Sequence, residues 1–428
     1  MRILLASNSP YYPSFGGGNK SNRLLMEALA VRGHEIRVVT RTREFGDAQH
    51  AALLSELAAR GVTASTGDRD VRVSVGNVDV RILTRDSAIR PYFAGQIEAF
   101  DPGIILTSTD DTAHLMFEVA LHAPRARVVY LIRATVALPF GPDSTLRSEA
   151  LTQSLRKADG VLAVSEYVAQ YARQWGGLDA RHVPISLLEP GEWPLLGSYD
   201  NPYITMVNPC AVKGISIFLS LSACFTDERF AAVPTWGATA SDLSALRARA
   251  NVTVIPPVEN MDGIYRQTRV MLVPSLWAEA RSRVILEAMS RGIPVLASNV
   301  GGLSEAMLGV GLPLPVNRVT RYTPMVDDLM VPVAEIPDQD ITPWQAALGR
   351  LIDDRDHYAA TAGESRAAAI AHKERLHTGP MEEYLLNLLE APRLSRTVAA
   401  PPARPQLSAD RRKLLALRMK QAKNQGAA

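Results

Sequence analysis

Two glutamates eight positions apart, Glu279 and Glu287, carry the strongest chemical signal in the sequence. They bracket the start of a helical pattern, with Arg281, Ser282, Arg283 and Val284 between them. Eight helical steps of ~1.5 Å would separate the carboxylates by ~12 Å. That separation suits the two ends of a folded nucleotide sugar, one carboxylate accepting from sugar hydroxyls and the other from ribose hydroxyls. Between them, free N–H groups near residues 281–284 face the phosphates, assisted by the helix dipole. Glutamates at this spacing are also ordinary on a helix surface, so the surrounding residues decide. Lys213 and Gly214 close the stretch Val207-Asn208-Pro209-Cys210-Ala211-Val212-Lys213-Gly214, which leaves a predicted strand and opens a helix. A cation is unfavourable at a helix start, so Lys213 reads as a group kept for an anionic ligand.

Gly16, Gly17 and Gly18 follow the first predicted strand, where glycines let backbone N–H groups approach a ligand. The spacing is not G-x-G-x-x-G, so the dinucleotide fingerprint is not met. On the opposite, acceptor side the candidates are His114, Arg133 and Phe140. His114 follows Asp110-Asp111, Arg133 follows a predicted strand, and Phe140 lies in the apolar stretch 138–142. The eight histidines show no metal spacing, and Thr109-Asp110-Asp111 is not an Asp-x-Asp motif. No metal or other cofactor is expected.

These residues need elements to hold them. Residues 1–200 alternate short aliphatic runs with helical patterns: strands at 2–6, 35–40, 103–107, 126–132 and 159–164, and helices near 19–32, 50–60, 112–121, 144–156 and 165–175. Residues 71–84 alternate at period two around Gly76-Asn77, as an inserted hairpin does. A Pro/Gly-rich linker follows at 189–202. The alternation then restarts, with strands at 203–207, 230–235, 252–255, 269–273 and 293–297. Such alternation predicts α/β architecture: two doubly wound, Rossmann-like domains facing across a cleft. The domains run 1–195 and 196–375, with a helix at 376–391 crossing back to the first domain and a Pro-rich linker with basic helical tail at 392–428. Ligands bind at the carboxyl edges of such sheets, which places the site in the cleft.

Bulk composition agrees. The chain has 428 residues, 47% hydrophobic and 21% charged, with net charge +2. No apolar run reaches the ~20 residues of a membrane span, and no strong basic excess calls for nucleic acid. Two cysteines, Cys210 and Cys224, make no disulfide framework and read as small core residues in a cytoplasmic protein. Charge is uneven, however. The segment 391–428 carries nine Lys/Arg and one acid, Asp410, so it holds +8 and leaves −6 on the body. A basic tail on an acidic body suggests an acidic protein partner, or a solvated terminus.

Residues 273–305 resemble the Glu-x7-Glu signature of the family-4 retaining glycosyltransferases of GT-B fold. Glu279, Leu286-Glu287-Ala288-Met289, Gly292, Pro294-Val295, Ala297, Gly301-Gly302 and Glu305 match in register. The resemblance covers residues 1 to about 390. It implies a nucleotide-sugar donor, with Glu279 on the transferred sugar, Glu287 on the ribose, Lys213 on the diphosphate, and reaction on one face of the sugar without a protein nucleophile. The chain departs from the pattern at three places. Ala280-Arg281-Ser282 replace Pro-Phe-Gly, Asn208 stands where an arginine is usual, and Arg133 stands where a histidine is usual. Arg281 or Arg283 is expected to supply the missing cation. The stretches 138–142, 207–209 and 275–277 are similar to glycosyltransferases that accompany peptide-synthetase and polyketide machinery. By that likeness the acceptor is a natural product, small or carrier-bound, with the tail docking on an assembly-line partner. Two other readings stay open: a nucleotide-sugar epimerase on the same fold, and a degenerate scaffold that has lost catalysis. Nucleotide base, sugar, acceptor and oligomeric state are not legible in the sequence.

Overall fold

The computed structural model describes residues 1–14, 16–184, 191–327 and 332–392. The expected Pro-rich linker at 399–405 and the basic tail lie outside the described residues, as does part of the 189–202 linker.

The first half is built on a nine-stranded sheet. Its order is Ala64–Thr66, Asp70–Val75, Val78–Leu83, Glu35–Arg41, Arg2–Ala6, Ile104–Ser108, Arg127–Ile132, Gly160–Ala163 and Ala180–His182. From Val78–Leu83 onward every pairing is parallel. Helices cover both faces, so the central strands are buried along their length rather than on alternate residues: all six residues of Arg127–Ile132 are buried. The expected hairpin is present, and its Gly76-Asn77 turn has φ of 57° and 62°. That left-handed pair matches the twist of the two strands.

The second half carries a five-stranded parallel sheet ordered Val252–Val254, Arg229–Val233, Tyr203–Val207, Thr268–Val273 and Val295–Ala297. Each sheet reverses its winding once. The reversal falls between Arg2–Ala6 and Ile104–Ser108 in the first sheet, and between Tyr203–Val207 and Thr268–Val273 in the second. Crevices open at the carboxyl ends of such strand pairs.

Three C-terminal helices follow. Arg355–Arg375 packs along Arg283–Ser290, with Arg366 Nη1 donating to the Ser290 carbonyl at 2.5 Å. Gly379–Glu390 lies on the first half, where Met381 and Leu385 enter its core and Glu382 meets His34 at 2.7 Å. Among the described residues no helix is long and apolar enough to cross a membrane. The cysteines differ from the expectation: Cys210 is buried, but Cys224 ends the helix Ile215–Cys224 on an exposed face.

Candidate active site

A cavity of about 940 Å³ lies between the two halves. Its walls come from the strand ends and loops at both switch points. They include Gly16, Gly17, Gly18 and Arg133 from the first half, and Asn208, Lys213, Glu279, Arg281, Ser282, Arg283, Val284 and Glu287 from the second.

Glu279 sits in the loop after Thr268–Val273, not in the helix. Lys213 Nζ donates to its Oε1, and the same oxygen accepts from Ser275 Oγ at 2.7 Å and Trp277 Nε1 at 2.9 Å. Burial pushes the Glu279 carboxyl up, but the Lys213 ammonium and these hydrogen bonds outweigh it and hold the pKa below the ordinary value. The contribution of this ionised carboxylate is therefore complete above the unfolded carboxylate pKa and is lost only as pH falls through the lower folded value. A Glu279→Gln variant should differ from the parent in thermal stability at neutral pH, and the two curves should converge in acid.

Two close backbone approaches build this wall. Gly214, with φ +83°, passes the Pro274 carbonyl so closely that a Cβ would sit 1.9 Å from its oxygen. Gly301, with φ +59°, supports Glu279 from behind, and a Cβ there would sit 2.4 Å from the Glu279 carbonyl oxygen. The matched Gly301-Gly302 pair thus lets the Glu279 loop lie against the next turn, where Gly302 N–H donates to the Glu279 carbonyl at 2.7 Å.

The helix Arg283–Ser290 begins at Ser282, whose side chain makes no capping bond, so the first-turn N–H groups stay available. Ile285 and Met289 are buried, whereas Val284 is half-buried on the cavity side. Glu287 accepts from Tyr265 Oη at 2.7 Å and Arg283 Nη2 at 2.8 Å. A carboxylate offers about four lone-pair directions, so capacity remains for hydroxyls.

The two arginines differ. Arg283 is neutralised by Glu287 and reaches the first half, where its Cδ would lie 3.3 Å from a Cβ on Gly17. Arg281 Nη2 donates to His372 Nε2 at 2.6 Å. Burial, then Arg281, Arg375 and His182, push the His372 pKa down to about 4. The imidazole is neutral at pH 7 and accepts the bond without cancelling the charge. Asn208 is no substitute cation. Its backbone is left-handed at φ 59°, and its Oδ1 accepts from Gly237 N–H at 3.0 Å, tying two loops together.

Two acceptor-side candidates fall elsewhere. His114 is fully buried among Phe117 and Tyr130, with ring centroids 5.3 and 5.6 Å away. Phe140 is stacked with Tyr171 in the first-half core. Both are apolar-packed because the loops that carry them turn inward, and Ala134 and Val136 line the cavity instead. The neighbouring acids are structural as well. Asp111 accepts from the N–H groups of Leu115, Met116 and Phe117 and caps their helix. Sequence reasoning overlooked Ser275, Trp277 and Tyr265 as supports. The first two stand four and two residues before Glu279 and were the only ones with a local signal.

A clasp joins the halves. Ser165 Oγ donates to the Ala280 carbonyl at 2.6 Å, and Glu305 accepts from the N–H groups of Glu166 and Tyr167 at 3.0 and 3.3 Å. Glu305 thereby sits at the positive end of the helix Glu166–Gly176. Glu305→Ala should cost about 1 kcal/mol in denaturant unfolding.

Both halves of the chain are similar to known proteins. A glycosyl transferase 4-like domain model matches residues 16–187, and a glycosyl transferases group 1 model matches 206–323. A D-inositol 3-phosphate glycosyltransferase of Nocardia farcinica is 32% identical over 143 residues, which is 32% of this chain and 27% of that protein. The match thus spans about a quarter of the relative's length. Among solved structures, a sucrose-phosphate synthase of Thermosynechococcus elongatus superposes with TM-score 0.63 at 18% identity, covering 90% of this chain and 99% of its own. Anabaena Alr3699/HepE in complex with UDP-glucose gives 0.62 at 14%, covering 91% and 99%. The fold is GT-B. Together the two domain models match about two thirds of the chain, so each half is similar to glycosyltransferases, the first of the 4-like type and the second of group 1.

Proposed function

We propose that this chain is a retaining, metal-independent glycosyltransferase that moves a sugar from a nucleoside-diphosphate donor to an acceptor hydroxyl. The observation that carries this reading is the partly buried Lys213–Glu279 pair at the switch point of the second sheet, beside an uncapped helix start. Glu279, fixed by Ser275 and Trp277, takes hydroxyls of the transferred sugar. Glu287 takes those of the ribose. The diphosphate lies between them against the N–H groups of residues 283–285, with Lys213 and Arg281 as cations. Arg281, rather than Arg283, supplies the charge that Asn208 lacks, because Arg283 is spent on Glu287. As the glycosidic bond breaks, the diphosphate gains charge, and fixed positive groups stabilise that change most. The departing diphosphate takes the acceptor proton on the same face of the sugar, so inversion and a protein nucleophile are unnecessary.

A uridine donor is supported by the UDP-glucose complex of one structural neighbour, and a small polar acceptor by the name of the relative. A peptide or polyketide acceptor, with the basic tail docking on an acidic partner, rests on sequence resemblance. Deleting residues 400–428 should lower turnover of a carrier-bound acceptor and leave a free acceptor unaffected.

The test of the donor is a thermal-shift screen against UDP, GDP, dTDP and ADP. One of them should raise the melting temperature, since a ligand at 100 times its Kd stabilises by about 2.7 kcal/mol. A scaffold would respond to none. An epimerase would isomerise a nucleotide sugar without any acceptor.

A further inference from the structure

Arg133 stands at the carboxyl end of Arg127–Ile132, on the first-half wall of the cavity. Its backbone N–H donates to Thr109 Oγ1 at 3.0 Å, and Nη1 donates to Ser21 Oγ at 2.9 Å. The rest of the guanidinium is unused, because Nε and Nη2 are buried without a hydrogen-bond partner. These two nitrogens share one edge of the planar group. Their N–H bonds run parallel and match the two oxygens of a carboxylate or phosphate. A hydroxyl oxygen would leave half of that edge unmet. A buried donor left unpaired costs about 1–3 kcal/mol, more when charged, so two on one edge are a standing bias toward whatever completes them.

Asp110 is the nearby opposing charge, and it acts on Arg133 without a direct contact. Its oxygens are committed to Ser7 Oγ, the Asn8 N–H and Ser108 Oγ. Burial pushes the Arg133 pKa down to about 10, against a smaller opposing pull from Asp110, so the group stays protonated at neutral pH. Lys20 and Arg43 line the same cavity. Two glutamates of its lining, Glu56 and Glu259, are both taken up by Arg60, at 3.2 and 2.9 Å.

Position limits what Arg133 addresses. Two residues on, Thr135 Oγ1 donates to the Ala278 carbonyl, next to Glu279, at 3.4 Å. Arg133 thus lies on the first-half wall of the cavity, across from Lys213 and Arg281, the cations assigned above to the diphosphate. We propose that Arg133 is a specificity residue that receives an anionic group, carboxylate or phosphate, carried by the transferred sugar or by the acceptor. This rests on the glycosyltransferase reading above.

Calorimetric titration of the full chain with matched neutral and anionic probes tests it. The donor pair is UDP-glucose and UDP-glucuronic acid, or GDP-mannose and GDP-mannuronic acid where GDP is the nucleotide bound. The acceptor set is glucose, glucuronate and glucose 6-phosphate, titrated with and without saturating nucleoside diphosphate. The anionic member of at least one set should bind about 10-fold tighter, the effect of one charge-assisted pair. Arg133→Gln should bring that preference below about 2-fold, and Arg133→Lys, which keeps the charge but not the fork, should restore only part of it. Preference in the donor pair puts the anion on the transferred sugar, and preference in the acceptor set puts it on the acceptor. Both sets within about 2-fold in the parent, or a preference that survives Arg133→Gln, would overturn the proposal and leave Arg133 a brace between Thr109 and Ser21. The parent comparison needs no variant, so it decides even if a substitution fails to fold. Absence of any nucleotide binding would instead strike the donor reading, with the acceptor set without nucleotide still reporting on Arg133.

Discussion

Glu279→Gln is expected to lower kcat/KM by about 10²–10³-fold, the loss seen when one preorganised polar group is removed from a transition state. Glutamine keeps the shape and an acceptor oxygen for Ser275 and Trp277, so the loop should hold. What disappears is the charge that fixes Lys213 and accepts strongly from a sugar hydroxyl. Lys213→Ala should cost a similar factor and more stability, because it leaves a buried carboxylate without its counter-ion. The two side chains touch, so the double variant should lose much less than the product of the single losses. Steady-state kinetics on the three variants, with melting curves alongside, would check this. Independent multiplication of the two losses would show that the pair does not act as a unit.

Gly214→Ala should be the most damaging single methyl group at the site. A non-glycine residue at φ +83° costs about 1–2 kcal/mol. The added carbon also meets a backbone oxygen, Pro274 O, at 1.9 Å, which no rotamer change relieves. Displacing that backbone adds an overpacking cost of about 1–3 kcal/mol. It moves Lys213 and the 274–279 loop together, so donor binding should fall with stability. Gly95→Ala is the matching control. It lies in the helix Ile89–Phe100 with open space around it, and alanine there should stabilise by about 0.5–1 kcal/mol. Denaturant unfolding of both variants reads the difference.

The sequence announced what is local. The strands at 2–6 and 203–207, the Gly76-Asn77 turn and the helix after Glu279 all follow from periodicity and turn chemistry over a few residues. Short edge strands such as Ala64–Thr66 and Ala180–His182 were missed because Ala-Ser-Thr and Ala-Arg-His carry no aliphatic run, unlike the equally short Val252–Val254 and Val295–Ala297. The helix Ile89–Phe100 was missed with Pro91 in its first turn, where proline is tolerated but dilutes the pattern.

Asn208, Lys213, Glu279 and Glu287 were legible as cavity residues because they cluster within two short stretches at one sheet edge. Their partners were not. His372 meets Arg281 from 91 residues away, and Glu305 caps a helix of the other half. The direction of a loop was equally hidden: nothing in residues 110–142 distinguishes Arg133, which lines the cavity, from His114 and Phe140, which pack inward.

In the proposed complex a nucleoside diphosphate is held at the start of the helix Arg283–Ser290 by Lys213, with Glu279 beyond it. Isothermal titration of UDP, GDP, dTDP and ADP into the parent and into Lys213→Ala tests it most directly. One nucleotide should bind the parent, and that affinity should drop at least 10-fold in the variant. Equal binding to both proteins, or heat from none of the four, would contradict it.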